Sequence, residues 1–121
     1  MALQVQIVAA DRSVWSGEAK IVIARTVVGD LGIMPGHVPL LAELDSGVVL
    51  VRTTDGEVVS AAVHGGFISV ENDTVSLLAE QAELASEIDV AQAQRVLAET
   101  NGDAAAQQQA ETRLRAAEAR I

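Results

Sequence analysis

The chain has 121 residues, and its 17 acidic residues outnumber the eight Lys and Arg to give a formal net charge of -9. Nucleic-acid affinity depends on Lys and Arg that neutralise phosphates, so this balance argues against a nucleic-acid partner. The absence of Cys excludes disulfides, thiolate metal sites and thiol catalysis. No run approaches the roughly 20 apolar residues of a membrane span, and the N-terminal residues lack signal-peptide features. We therefore expect a cytoplasmic protein without direct membrane insertion.

The first two thirds of the chain have the pattern of β-strands. Apolar residues alternate with glutamines over Leu3–Ile7, and Lys20–Thr26 is a β-branched run between Gly17 and Gly29. Two further pairs of runs are separated by turn residues, which predicts two hairpins. The paired runs are Val48–Thr53 with Val58–Val63, and Phe67–Val70 with Thr74–Leu78. Short strands at this spacing predict an antiparallel sandwich or flattened barrel, with Gly65 and Gly66 at a strand turn.

The composition changes near Ser86, where Ala-, Gln- and Glu-rich sequence begins. Two short helices are predicted, the first capped by Ser86 or Asp89 and the second by Asp103, with Gly102 ending the first. Their apolar stripes are Val90, Ala93 and Leu97 in the first helix and Ala110, Leu114, Ala117 and Ile121 in the second. Buried Ala contributes far less than buried Leu or Ile, so we expect this tail, residues 86–121, to dock weakly on a separate domain, residues 1–85.

Catalytic and metal sites are not predicted. The two histidines, His37 and His64, have neither His-x-His nor His-Glu-x-x-His spacing. Ser60 and Ser69 lack His and Asp partners in an order typical of nucleophilic catalysis.

The segment from residue 29 to residue 41 stands out, since its three glycines and two prolines predict a rigid, shaped loop. A corner between sheets and a binding loop explain this pattern equally well. Its apolar residues are suited to a protein contact if they are exposed; they are Leu31, Ile33, Met34 and Val38.

Two motifs and the tail together resemble the epsilon subunit of bacterial F-type ATP synthase. The motifs are GDLGIMPGHVPLLAEL at 29–44 and AAVHGGFISVENDTVSLLAEQAE at 61–83, followed by the Ala-rich helices. The resemblance covers the whole chain in order. It implies a ten-stranded N-terminal β-sandwich followed by a C-terminal helical hairpin.

The resemblance also implies a non-catalytic rotor subunit of the central stalk, on the cytoplasmic face of the bacterial plasma membrane. Such a subunit couples rotation of the proton-driven c-ring to ATP synthesis through the gamma subunit. The implied contact residues for the c-ring and gamma are Asp30, Leu31, Ile33, Met34 and His37.

The family's tail has two positions, one docked on the sandwich and one extended along gamma, where it blocks ATP hydrolysis. In the extended position, basic residues of the tail meet the beta and alpha subunits; the candidates are Arg113, Arg115 and Arg120. A solvated basic face near a helix C-terminus explains the same residues.

Some family members bind ATP through an Ile-Asp-x-x-Arg-Ala motif. Ile88 and Asp89 match it, but Gln92 replaces the Arg, and Arg95 lies one turn later. Because Gln92 carries no charge for a phosphate, we expect weak or absent ATP binding and no cofactor. The alternative function from the residues alone is a free-standing β-sandwich adaptor or ligand-binding module.

Overall fold

A computed structural model describes residues 2–99 and 102–118. Seven strands precede a short 3₁₀-helix, Ala85–Glu87, and two α-helices. The strands are β1 (Leu3–Ala9), β2 (Arg12–Thr26), β3 (Gly29–Ile33), β4 (Leu40–Glu43), β5 (Gly47–Thr53), β6 (Val58–Glu71) and β7 (Thr74–Leu84), and the helices are α1 (Val90–Glu99) and α2 (Ala104–Glu118). The predicted architecture, a β-sandwich followed by two helices, is confirmed.

The strands close into a flattened ring in the order β1-β7-β6-β5-β2, and β1 pairs in turn with β2. All of these pairings are antiparallel except that of β1 with β7, which is parallel and was not predicted. The resemblance implied ten strands, whereas the described residues contain seven. Three of them are 15, 14 and 11 residues long, and β2 and β6 change partners along their lengths.

Two glycines do not act as strand boundaries. Gly17 lies inside β2, where a Cβ would come within 2.8 Å of the Trp15 ring, so glycine makes room for the indole. Gly66 lies inside β6 with φ +117°, and a Cβ there would lie 2.0 Å from the Leu78 carbonyl oxygen. The predicted strand turn at Gly65 and Gly66 is therefore a bend within β6, which pairs with β5 before it and with β4 after it.

The predicted loop at 29–41 is shorter than expected. Gly29–Ile33 forms β3 and pairs with β2, and β4 begins at Leu40. Only residues 34–39 therefore form a loop. Ile33 is 0% exposed and Leu31 packs against the core. The alternation of the sequence in this segment explains the result, since every second residue of an edge strand faces inward.

The core is aliphatic, as the composition indicated, and lies between the two walls of the ring. Its largest fully buried side chains are Leu3, Ile7, Ile33, Ile68 and Leu77. On the outside of the ring, α2 packs against β5 and β6, and α1 packs against α2.

The helices dock on the outer face of β6. Residues 60–64 are all buried, although only Ala61 and Val63 belong to the sandwich core. The outward-facing Ala62 forms a second small cluster with Ile88 and Ala116. Small side chains on this face of β6 let α2 approach closely.

The helix caps follow the sequence prediction. Oδ1 of Asp89 accepts the Gln92 backbone N–H at 3.0 Å, and Oδ1 of Asp103 accepts that of Ala106 at 3.1 Å. Asp89 is thus the cap of α1 in place of Ser86, and Gly102 has the expected positive φ of 95°.

The apolar stripes are only partly as predicted. In α1, Ala93 is buried but Val90 is exposed. In α2, Ala110 is buried, and the face toward β6 consists of Thr112 and Ala116, which the stripe did not include. Ile121 and Arg120 lie outside the described residues.

Candidate functional site

Two surfaces carry residues that the sequence analysis singled out: the loop at 34–39 and the contact between the sandwich and the tail. The outer face around Phe67 is a third candidate surface. No described helix is long and apolar enough to cross a membrane. Within residues 2–99 and 102–118, no group of three His, Asp or Glu could hold a metal ion.

The loop at 34–39 is fixed to the turn between β6 and β7 by one carboxylate. Oδ1 of Asp73 accepts the Gly36 backbone N–H at 2.7 Å, and the Asp73 carbonyl accepts the Gln4 N–H at 2.8 Å. Asp73 itself has φ +58°, in the left-handed region that Asp tolerates. Met34 and Val38 are 60% and 69% exposed on this fixed loop, and His37 is half-buried beside them.

The predicted contact residues do not form one cluster. Asp30 is exposed at the start of β3, opposite Arg25 of β2, whereas Met34 and His37 follow the end of β3. Four residues of strand separate Asp30 from Met34 by roughly 13 Å. The implied contact role of Ile33 is wrong for this structure, because its side chain is fully buried in the core.

An exposed apolar patch lies on the outer face of the sandwich and was missed by the sequence analysis. Phe67 of β6 is directly opposite Leu78 of β7, and both are about half exposed. Leu41 of neighbouring β4 is 72% exposed. We call these three residues the apolar patch. The signal was present in the outward register of the strands, but the face of a strand is known only once its pairing is known.

The tail is clasped to the sandwich by two ion pairs. Both guanidinium nitrogens of Arg12 donate to the Glu87 carboxylate, at 2.8 and 2.9 Å. This hydrogen bond is the main reason that the pKa of Glu87 is lowered and that of Arg12 raised, and the Leu84 N–H lowers the pKa of Glu87 further. Both partners are substantially exposed, so the pair contributes little to stability.

The second ion pair joins α2 to β7 and is better shielded. Nε of Arg113 lies 2.7 Å from Oε1 of Glu83, and the side chain is 17% exposed. The Nε–H does not point at that oxygen, so the contact is electrostatic, while Nη2 reaches Oε2 at 3.4 Å and the Gln92 amide oxygen at 3.5 Å. Arg113 therefore faces the sandwich rather than solvent in the docked tail. Arg115 is exposed and contacts Thr112 of its own helix.

A cleft of about 550 Å³ lies beside this ion pair, between α2 and the sandwich. His64 lines it and is 8% exposed, and Nδ1 of its ring has no hydrogen-bond partner among the described residues. Burial lowers the pKa of His64; the nearby Arg113 lowers it further, and Glu83 opposes the shift. The two histidines thus have different surroundings, one on a surface loop and one beneath the tail.

The candidate nucleotide residues are engaged in the docked tail. Ile88 is buried against Ala62 and Ala116, and the Asp89 carboxylate caps α1. Gln92 accepts from Arg113, while Arg95 is exposed and makes no ion pair with any described residue. These side chains do not converge on a common anion-binding site.

Comparison with known proteins gives the family. The model of the ATP synthase delta/epsilon chain β-sandwich domain matches residues 2–85. This chain belongs to the ATP synthase epsilon family. It is 63% identical over 116 residues to the ATP synthase epsilon chain of Streptomyces griseus, covering 94% of each chain. It is 50% identical over 117 residues to the epsilon chain of Rhodococcus jostii, covering 96% of each.

Solved structures share the fold of this epsilon family member. One is from the Euglena gracilis mitochondrial ATP synthase (OSCP/F1/c-ring), with a TM-score of 0.74, 22% identity, and coverage of 97% of this chain and 78% of that one. Another is from the central stalk and c-ring of the Tetrahymena thermophila enzyme, with a TM-score of 0.64, 16% identity, and coverage of 96% and 93%.

Proposed function

We propose that this chain is the non-catalytic rotor subunit that links the c-ring to gamma in the central stalk of a proton-driven ATP synthase. In this role it binds as a peripheral subunit on the cytoplasmic face of the bacterial plasma membrane. The family membership supports the complex, and the exposed apolar side chains of the sandwich support the contact surfaces. The observation that carries the proposal is the apolar patch together with the fixed loop that presents Met34 and Val38, because exposed apolar groups on a rigid body mark protein interfaces.

The two surfaces have different chemistry and are assigned to different partners. The loop at 34–39 and the acidic Asp30 are proposed to face the polar loops of the c-ring, where a carboxylate can pair with a basic residue. The apolar patch is proposed to face gamma, since Phe67 and Leu78 offer the larger desolvation gain. Leu31 and Ile33 support the loop from the core instead of touching a partner.

Co-purification tests this assignment. We expect the tagged chain to recover gamma and the c-ring from detergent-solubilised membranes. The double variant Phe67→Ser, Leu78→Ser is expected to recover at least tenfold less of these subunits. Val58→Ser is the matched control, because Val58 is also partly exposed on β6 but lies at its other end. Recovery of neither partner by the unmodified chain would instead favour a free-standing adaptor.

We further propose that the chain works as two parts, a sandwich at 1–85 and a regulatory tail at 86–121 that restrains ATP hydrolysis when it is extended. The Ala-lined contact and the partly shielded Arg113–Glu83 pair support an element that can leave the sandwich at modest cost. In the extended position Arg113, now free of Glu83, and Arg115 are available to acidic segments of beta and alpha. Arg120 has the same proposed role from the sequence alone.

The tail proposal is tested in the assembled complex with a chain that ends at Glu87. This variant keeps the Arg12–Glu87 pair and removes both helices. We expect unchanged assembly and ATP synthesis with faster ATP hydrolysis. Unchanged hydrolysis would remove the inhibitory role and leave the rotor role intact.

No nucleotide is proposed as a regulatory ligand. Asp89 is used as a helix cap, Ile88 is buried, and Gln92 supplies no positive charge. The exposed side chain of Arg95 does not form a common site with these three residues.

A further inference from the structure

One carboxylate under the tail has two candidate counter-charges. Glu83 of β7 pairs with Arg113 of α2 at 2.7 Å. It also lines the same cleft as His64 of β6, and it lies two residues along β7 from Gln81, which is directly opposite His64. Arg113 belongs to the tail, whereas Glu83 and His64 belong to the sandwich. Release of the tail therefore takes one counter-charge away and leaves the other in place.

The docked state favours a neutral His64. Its ring is more than nine-tenths buried, and its Nδ1 has no hydrogen-bond partner among the described residues. Glu83 favours an imidazolium, but burial of the ring disfavours it more strongly, and the Glu83 carboxylate is also engaged by Arg113. A buried imidazolium would also lie near the positive Arg113, which disfavours it further.

Other charged groups around the cleft do not reverse this balance. The turn between β1 and β2 contributes Asp11, and β2 contributes its first residue, Arg12, which is paired with Glu87 of the 3₁₀-helix. From β7 the cleft receives Glu80 and Glu83, with the uncharged Gln81 directly opposite His64. The helices contribute Arg113 and the uncharged Gln92 and Gln109.

The released state favours a protonated His64. Without α2, the ring regains water and loses its cationic neighbour, and Glu83 is left without a partner. We propose that Arg113 and protonated His64 are alternative counter-charges for Glu83, so that acidification releases the tail from the sandwich. The proton is taken up from solvent as the tail leaves.

The pH dependence of tail docking follows from the linkage between protonation of His64 and release of the tail. A group that is neutral when the tail is docked and charged when it is free weakens docking as the pH falls below the free-state pKa, which is about 6.5 for an ordinary His. Above that pH His64 is neutral in both states and docking does not depend on it. Below it, the docking equilibrium falls by up to about tenfold for each pH unit, until the pKa of the docked state is reached.

Amide hydrogen exchange on the full-length chain tests the proposal, because it detects rarely populated open states. We expect protection factors of the amides of α2, corrected for intrinsic rates, to fall by up to about tenfold per unit between pH 6.5 and pH 5. Amides of β1 and β2 serve as the internal reference and should keep constant protection.

Two variants assign the effect, since the chain has only two histidines. His64→Gln is expected to make the protection of α2 independent of pH, whereas His37→Gln should behave as the unmodified chain. An unmodified chain with pH-independent protection, or a His64→Gln chain with the original pH dependence, would overturn the proposal. Should His64→Gln fail to dock, NMR titration of the unmodified chain decides: a pKa of His64 at or above about 6.5, the value of an ordinary His, overturns the proposal, and a lower one supports it.

The consequence for the enzyme rests on the proposed inhibitory role of the tail and is tested separately. ATP hydrolysis by the assembled complex is compared between the unmodified chain and His64→Gln at pH 6 and pH 8. If exchange shows acid release but the hydrolysis ratio does not change with pH, the counter-charge exchange stands and the inhibitory role fails.

Discussion

The hydroxyl of Ser60 donates a hydrogen bond of 2.7 Å to the carbonyl oxygen of Ala116, and the contact is buried. Ala116 lies in the last described turn of α2. A side chain of the sandwich thus binds a backbone carbonyl of the tail, and this bond exists only while the tail is docked.

Ser60→Ala should therefore weaken docking. Loss of one buried hydrogen bond costs about 1 kcal/mol, which corresponds to about a fivefold fall in the protection of the α2 amides. Ser69→Ala is the matched control, because Ser69 lies on the same strand but pairs with Leu41 of β4. Equal protection in Ser60→Ala and the unmodified chain would show that water replaces the hydroxyl at no cost.

The Arg113–Glu83 pair gives a second, independent measure of docking. We expect Arg113→Gln to shift the tail toward the released state by about 1 kcal/mol, because the pair is largely shielded from solvent. The absence of Cys allows spin labels at Thr54→Cys and Gln108→Cys, both exposed, to report the distance between sandwich and tail.

A double-mutant cycle with Glu83→Gln isolates the pair, and Arg95→Gln serves as the control for loss of charge on the tail. A coupling energy near zero between the Arg113 and Glu83 substitutions would show that this ion pair does not hold the tail on the sandwich.

The anchoring of the loop at 34–39 can be tested through Asp73. Asp73→Ala removes the acceptor for the Gly36 N–H, and we expect affinity for complexes depleted of this subunit to fall several-fold. Asp73→Asn keeps both an acceptor and tolerance of the positive φ, and should bind normally.

Asp73→Gly separates the two contributions, because it keeps the backbone freedom and loses only the acceptor. If Asp73→Gly binds as well as the unmodified chain, the carboxylate does not position the loop.

Gly66 should be among the least replaceable residues of the sandwich. In Gly66→Ala the new Cβ would overlap the Leu78 carbonyl oxygen at a positive φ, so we expect a loss on the order of 3 kcal/mol or more in the free energy of unfolding. Gly32→Ala, at an open position with ordinary φ, should change stability little. Urea denaturation of the two variants makes the comparison.

ATP binding by the isolated chain is expected to be weak or absent. Isothermal titration calorimetry should give no dissociation constant below about 1 mM, because the residues at the motif positions are capping, buried or uncharged. A clear sub-millimolar value would contradict this and would direct attention to Arg95.

The sequence was sufficient for the elements governed by local rules. The alternation of apolar and polar residues, the helical periodicity, the Asp-Gly turn and the caps at Asp89 and Asp103 are short-range signals. They predicted most of the strands, the two hairpins and both helices, but not β3, β4 or the first part of β2. The parallel pairing of β1 with β7 was not accessible, because it joins residues about 70 positions apart and has no local signal.

The difference between local and long-range signals also explains which parts of the candidate site could be predicted from the sequence. The loop composition was readable, but whether Ile33 faces the core or a partner depends on register, and the sequence cannot supply register for an edge strand. The apolar patch and the Arg113–Glu83 pair were missed for the same reason: each joins residues that only the tertiary fold brings together.

The small side chains on the outer face of β6 have a consequence for solubility. When the tail leaves, the surface uncovered around Ser60, Ala62 and His64 has polar or small side chains, with Val48 of β5 beside them. Release of the tail therefore adds little to the exposed apolar surface of the sandwich. A tail seated on leucines and isoleucines would uncover a larger apolar surface, and with it a greater tendency to aggregate.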